Sequence, residues 1–79
     1  MAQYTVLLFH EEGVYSVLVP ALDNLATQGR TVEEALEMAR EAIELYLEAL
    51  TARGEYIPTE ETPPIVTAVS VGLPAKVPA

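Results

Sequence analysis

Residues 31–53, TVEEALEMAREAIELYLEALTAR, constrain this chain more than any other stretch, because their apolar positions fit one long element only. Val32, Ala35, Leu36, Ala39, Ala42, Ile43, Tyr46, Leu47 and Leu50 recur at spacings of three and four, which draws a single stripe on a helix of 3.6-residue period. The start reads as a capping box, in which the Thr31 hydroxyl accepts from the Glu34 N–H and the Glu34 carboxylate reaches back to the Thr31 N–H. The end is marked by Arg53, suited to the negative helix pole, and by Gly54, which can take the left-handed conformation that closes a helix. Within the stripe, Leu36, Ile43 and Leu47 are expected in the core. The opposite face carries Glu33, Glu37, Glu41, Glu44 and Glu48, with Arg40 placed to pair with Glu37 and Glu44.

The remaining segments read as what packs against that helix. Residues 3–10 (QYTVLLFH) and 14–19 (VYSVLV) are rich in β-branched and aromatic residues and are separated by Glu11-Glu12-Gly13, a turn signal, so they form an antiparallel hairpin ended by Pro20. Both strands carry apolar side chains on each face: Tyr4, Val6 and Leu8 against Leu7 and Phe9, then Tyr15, Val17 and Val19 against Val14 and Leu18. One helix covers one face, so the other must meet something else, and self-association is the simplest candidate. Loop signals at Asp23-Asn24 and Gly29 bracket a short third strand over residues 25–28, and residues 55–64 form a polar, Pro-rich connector. Residues 65–71 (IVTAVSV) alternate as a last strand. The predicted order is ββ(β)αβ, an α+β fold with one helix on a three- or four-stranded sheet.

Charge and composition narrow the function. The chain has 79 residues and a net charge of −8 with four basic residues, which argues against direct nucleic-acid binding and favours a basic partner. It has no cysteine, so disulfides and thiolate chemistry are excluded. Met1-Ala2-Gln3 lacks a basic n-region, and no apolar run approaches the ~20 residues of a membrane span, so a cytoplasmic protein without membrane contact is expected. His10, the one histidine, lies beside Glu11 and Glu12, but consecutive strand residues point to opposite faces, and it reads as a hairpin-tip residue. Ser16 and Ser70 have no base and orienting group to form a triad. No Gly-rich phosphate loop, cation loop or metal-ligand set is present, so no cofactor, metal or catalytic residue is expected.

Gly13-Val14-Tyr15 through Val19-Pro20, then Leu22, Thr27-Gln28-Gly29, Thr31, Glu33-Glu34-Ala35-Leu36, Ala39, Glu41-Ala42-Ile43, Tyr46-Leu47 and Ile57-Pro58 follow one another at a spacing that resembles the N-terminal domain of HicB antitoxins. The resemblance covers nearly the whole chain. It implies a partial RNase H-like fold over a domain of residues 1–73 with a tail at 74–79. It also implies an inhibitor of HicA, a small basic ribonuclease that degrades messenger RNA, and an acidic inhibitor suits a basic nuclease. The acidic helix face at Glu37, Glu41, Glu44 and Glu48 is the expected partner surface, and a homo-oligomer, dimer or tetramer, is expected besides. The chain departs from the family at Asp23-Asn24-Leu25, where members usually carry Pro-Gly-Cys. Family members also continue into a helix-turn-helix or ribbon-helix-helix domain, so direct operator binding is not expected of these 79 residues. Nuclease activity is not expected either, since Asp23 is the one aspartate and no two-metal carboxylate set can be assembled. From another class, the alternative is an orphan oligomeric binding module that takes a small molecule or another protein.

Overall fold

The computed structural model describes residues 1–75. Strands β1 (Leu7–Glu11), β2 (Val14–Val19) and β3 (Leu25–Gly29) make an antiparallel sheet in that order, a 3-10 turn (Pro20–Leu22) joins β2 to β3, and the helix α1 (Val32–Ala52) follows. This is the α+β arrangement the sequence implied, one helix on a three-stranded sheet. The expected last strand does not join it: residues 65–71 enter no ladder among the described residues and lie exposed, so the paired elements run ββ(β)α. Of the expected tail, residues 76–79 lie outside the described residues.

Two short turns set the sheet. Glu12 and Gly13 both have positive φ, 48° and 77°, and Glu11 pairs with Val14, which gives the two-residue hairpin turn whose twist matches its strands. A glutamate in the left-handed region costs about 1–2 kcal/mol that asparagine largely avoids. Glu12→Asn should therefore raise stability by about 0.5–1 kcal/mol, read from the urea midpoint at unchanged slope. After β2, Asp23 and Asn24 are also left-handed, at 60° and 56°, and they swing the chain back into β3.

The two faces of the sheet divide as the alternation implied. Tyr4, Val6, Leu8, Tyr15 and Leu25 pack with the buried cluster of Val17, Val19, Leu22, Ala35 and Ala39 beneath the helix. Leu7, Phe9, Val14 and Leu18 point the other way, with Leu7 opposite Leu18 and Phe9 opposite Ser16. The helix comes very close to β3: a Cβ built on Gly29 would stand 2.5 Å from the Ala35 backbone nitrogen. The small side chains at 29, 35 and 39 are what permit that approach.

One expectation about the core is corrected. Ile43 and Leu47 are half-buried against the cluster, but Leu36 is 48% exposed, and the fully buried helix residues are Ala35 and Ala39 with Leu50. The reason is the helix's position: it lies mainly over β3 and, to a lesser extent, β2. The side of the stripe that carries Leu36 overhangs the β1 flank, where no further strand lies beneath it.

The caps form largely as read. Thr31 Oγ1 accepts from the Glu34 N–H at 3.0 Å, but the Glu34 carboxylate takes the Arg30 N–H, at 3.2 Å, and not that of Thr31. At the other end Gly54 has φ 69°, its N–H bonds Thr51 O, and the Glu55 N–H bonds Leu50 O at 2.9 Å, the paired bonds of a Schellman motif. The Arg53 side chain turns to Glu55.

Candidate partner-binding surface

The helix brings Glu37, Glu41, Glu44 and Glu48 to one side over about three turns, because steps of four, three and four residues nearly complete whole turns. All four are exposed, as is Glu33 at the helix start. Arg40 forms no ion pair with Glu37 or Glu44; the ion pair among the described residues is Arg53 with Glu55. Among the described residues the acidic face is therefore uncompensated, and a cationic surface approaching it would meet several carboxylates at once.

Beside that face lies an open groove of about 670 Å³ between the helix and the N-terminal lead into β1. Met1, Ala2, Tyr4 and Val6 line it from one side and Leu36, Ala39, Ile43 and Leu47 from the helix, together with Arg40 and Glu44. The three helix residues expected in the core thus stand together as one wall of the groove.

The connector after the helix is fastened to the same flank. The Tyr4 hydroxyl donates to Pro58 O at 2.6 Å, the Thr5 N–H donates to Glu60 Oε2 at 3.0 Å, and the Thr5 hydroxyl donates to Glu60 Oε1. These contacts join residues more than fifty positions apart, and no local pattern in the sequence announces them.

Residues considered for chemistry do not converge. His10 stacks on Tyr15, its cross-strand partner, with ring centroids 4.2 Å apart and planes 8° from parallel. Ser16 lies opposite Phe9 on the other face of the sheet, and Ser70 is in the exposed 65–71 segment. Among the described residues no group of three or more His, Asp or Glu side chains is placed to hold a metal ion, and no helix is long and apolar enough to cross a membrane.

Known proteins show what this arrangement is similar to. A family model described as the HicB-like antitoxin of bacterial toxin–antitoxin systems matches residues 4–70. The UPF0150 protein Ta0767 of Thermoplasma acidophilum is 46% identical over 59 residues, which cover 73% of this chain and 86% of that one. The UPF0150 protein ssr1765 of Synechocystis is 46% identical over 59 residues, covering 73% and 75%. A UPF0150 protein of Archaeoglobus fulgidus is 50% identical over 38 residues, covering 48% and 55%. No solved structure matches the chain.

Proposed function

This chain belongs to the HicB-like antitoxin family, and we propose that it acts as a non-enzymatic antitoxin that binds and inhibits a small, basic, mRNA-degrading toxin of the HicA type. The match across residues 4–70 carries this reading, since it takes in the sheet, the helix and the connector together. The electrostatics support it. A ribonuclease that grips RNA presents a cationic surface, and Glu37, Glu41, Glu44 and Glu48 offer such a surface an exposed, unpaired anionic one. Inhibition would then follow from occlusion: carboxylates on the toxin's cationic face stand where RNA phosphates would bind. Contact of this kind needs no cofactor and no catalytic residue in the antitoxin. The cytoplasm, where messenger RNA is translated, is the corresponding place of action.

We also propose that the protein is a homo-oligomer, a dimer or tetramer. Leu7, Phe9, Val14 and Leu18 form an apolar sheet face that the helix does not cover, and a second copy would bury it.

The test is inhibition of RNA cleavage by a HicA-type toxin, with affinity measured by calorimetry. The wild-type chain should suppress cleavage. Replacing Glu37, Glu41, Glu44 and Glu48 together by Lys should weaken binding by about tenfold or more, with most of the loss already visible at low salt, because like charges would then face each other. Unchanged affinity in the folded quadruple variant would remove the acidic face from the interface, and no inhibition by the wild-type chain would reject the antitoxin reading.

A further inference from the structure

Among the described residues, 65–71 form an apolar run left without a partner. Ile65, Val66, Val69 and Val71 are 72–89% exposed, the segment IVTAVSV contains no charge, and its alternation is that of a sheet strand. The Cα radius of gyration, 16.2 Å, exceeds the roughly 12 Å of a compact domain of this length, which accords with a segment held away from the body.

A vacant strand position exists on the same molecule. β1 is an edge of the sheet. Its outer side follows from the two-residue turn: Glu11 and Val14 form a hydrogen-bonded pair, so on the two-residue period Phe9–Ser16 and Leu7–Leu18 bond across to β2 while the backbone groups of Leu8 and His10 turn outward, unpaired. Beside the lead into that edge lies the groove lined by Met1, Ala2, Tyr4 and Val6 on one side and by Leu36, Ile43 and Leu47 on the other. A strand laid along β1 would pair its backbone with the edge and send alternate side chains into the groove. Seven residues reach about 23 Å, more than enough to run the length of β1, Leu7–Glu11.

The chain's own segment is poorly placed to fill this position. The Glu60 carboxylate is bonded to Thr5, just before β1, and the segment that begins five residues later lies exposed, in no ladder with its own edge. Pro63 and Pro64 hold the intervening stretch extended, each fixing its own φ and biasing the residue before it away from the helical region. The segment therefore projects outward, where a neighbouring molecule can receive it.

We propose that residues 65–71 of one molecule add as a fourth strand to the β1 edge of a second copy, fill its Leu36–Ile43–Leu47 groove, and receive the same strand in return. Each chain has one such strand and one such edge, so reciprocal exchange about a two-fold axis closes at two copies and leaves neither strand in water. A lone charged partner would find nothing in IVTAVSV to recognise, whereas an apolar groove beside unpaired backbone fits it. The exchange rests on the oligomer part of the function proposed above, but it joins the two copies through the β1 edge and its groove and not through the Leu7–Leu18 sheet face, and it is independent of toxin binding.

Two measurements test it. Light scattering on the wild-type chain should give twice 8.6 kDa, and Val69→Pro, which removes a ladder donor at mid-strand, should return the mass to 8.6 kDa with the helical circular dichroism kept. In a mixture of isotope-labelled and unlabelled wild-type chains, filtered nuclear Overhauser contacts should join residues 65–71 of one chain to Leu7–Phe9 of the other; this readout decides alone if the proline variant fails to fold. A monomer whose 65–71 segment contacts its own β1, or a dimer that survives Val69→Pro with that segment free, would overturn the exchange. A protein that fails here yet still inhibits the toxin loses this inference only, and one that exchanges strands but binds no toxin loses only the antitoxin reading.

Discussion

Leu22→Ala should lower the unfolding free energy by about 2–5 kcal/mol, the range for deleting a large side chain from a site that cannot collapse. Leu22 is among the largest fully buried side chains, 1% exposed, and it enters the core from the turn between β2 and β3 and not from a strand or the helix. Its position is rigid on both sides. Pro20 fixes φ at the start of the turn, and Asp23 and Asn24 are held left-handed just after it, so the backbone has little freedom to follow a shrunken side chain into the cavity. For a chain of 79 residues, total stability on the order of 4–12 kcal/mol is expected, so the variant would lose a large share of it. Urea unfolding followed by circular dichroism measures the loss, with Leu45→Ala as the control: Leu45 is 66% exposed on the helix, and its truncation should change stability by less than about 0.5 kcal/mol. A Leu22→Ala loss no larger than that of the control would show that the turn does not help to hold the core.

What the sequence revealed, and what it did not, divides by the range of the interaction. Thr31 and Gly54 act through bonds to residues within five positions, so both ends of the helix were legible. The assignment of Tyr4, Val6 and Leu8 to one face and of Leu7 and Phe9 to the other needed only the two-residue period of a strand. Periodicity gave the helix its stripe but not the part of the stripe that the sheet would reach. Leu36 and Ala35 are adjacent in the sequence, yet only Ala35 lies at the close approach to Gly29, and that depends on where β3 delivers the chain into the helix. For residues 65–71 the alternation identified a strand, while the strand's partner is a matter of topology on which a period is silent. Leu22 left only a faint signal, a proline two residues earlier, because a three-residue turn is too short to show a pattern. On the candidate partner surface, the exposure of Glu37, Glu41, Glu44 and Glu48 followed from their spacing. The Thr5–Glu60 clamp did not, since its two halves meet only after the helix has carried the chain back across the sheet.

Gly29→Val should destabilise the fold by about 3 kcal/mol or more, and Gly29→Ala by about 1–3 kcal/mol, the cost of overpacking a filled interior. The cause is space. The first carbon added at position 29 would fall 2.5 Å from Ala35 N, 2.7 Å from Ala35 Cα and 2.9 Å from Glu34 C, all far inside van der Waals contact. These atoms are backbone at the start of the helix, so no rotamer change can clear them, and relief requires the first turn to move off β3. That movement would draw Ala35 and Ala39 away from Val17 and Val19, and it would strain the bond between Thr31 Oγ1 and the Glu34 N–H. Because the obstruction is backbone, Ala35→Gly should fail to rescue Gly29→Ala, whereas a clash with the Ala35 methyl would be relieved by it. A double-mutant cycle in urea distinguishes the two. If Gly29→Ala costs less than about 0.5 kcal/mol, or if Ala35→Gly restores the lost stability, the helix does not approach β3 as closely as Gly29 allows.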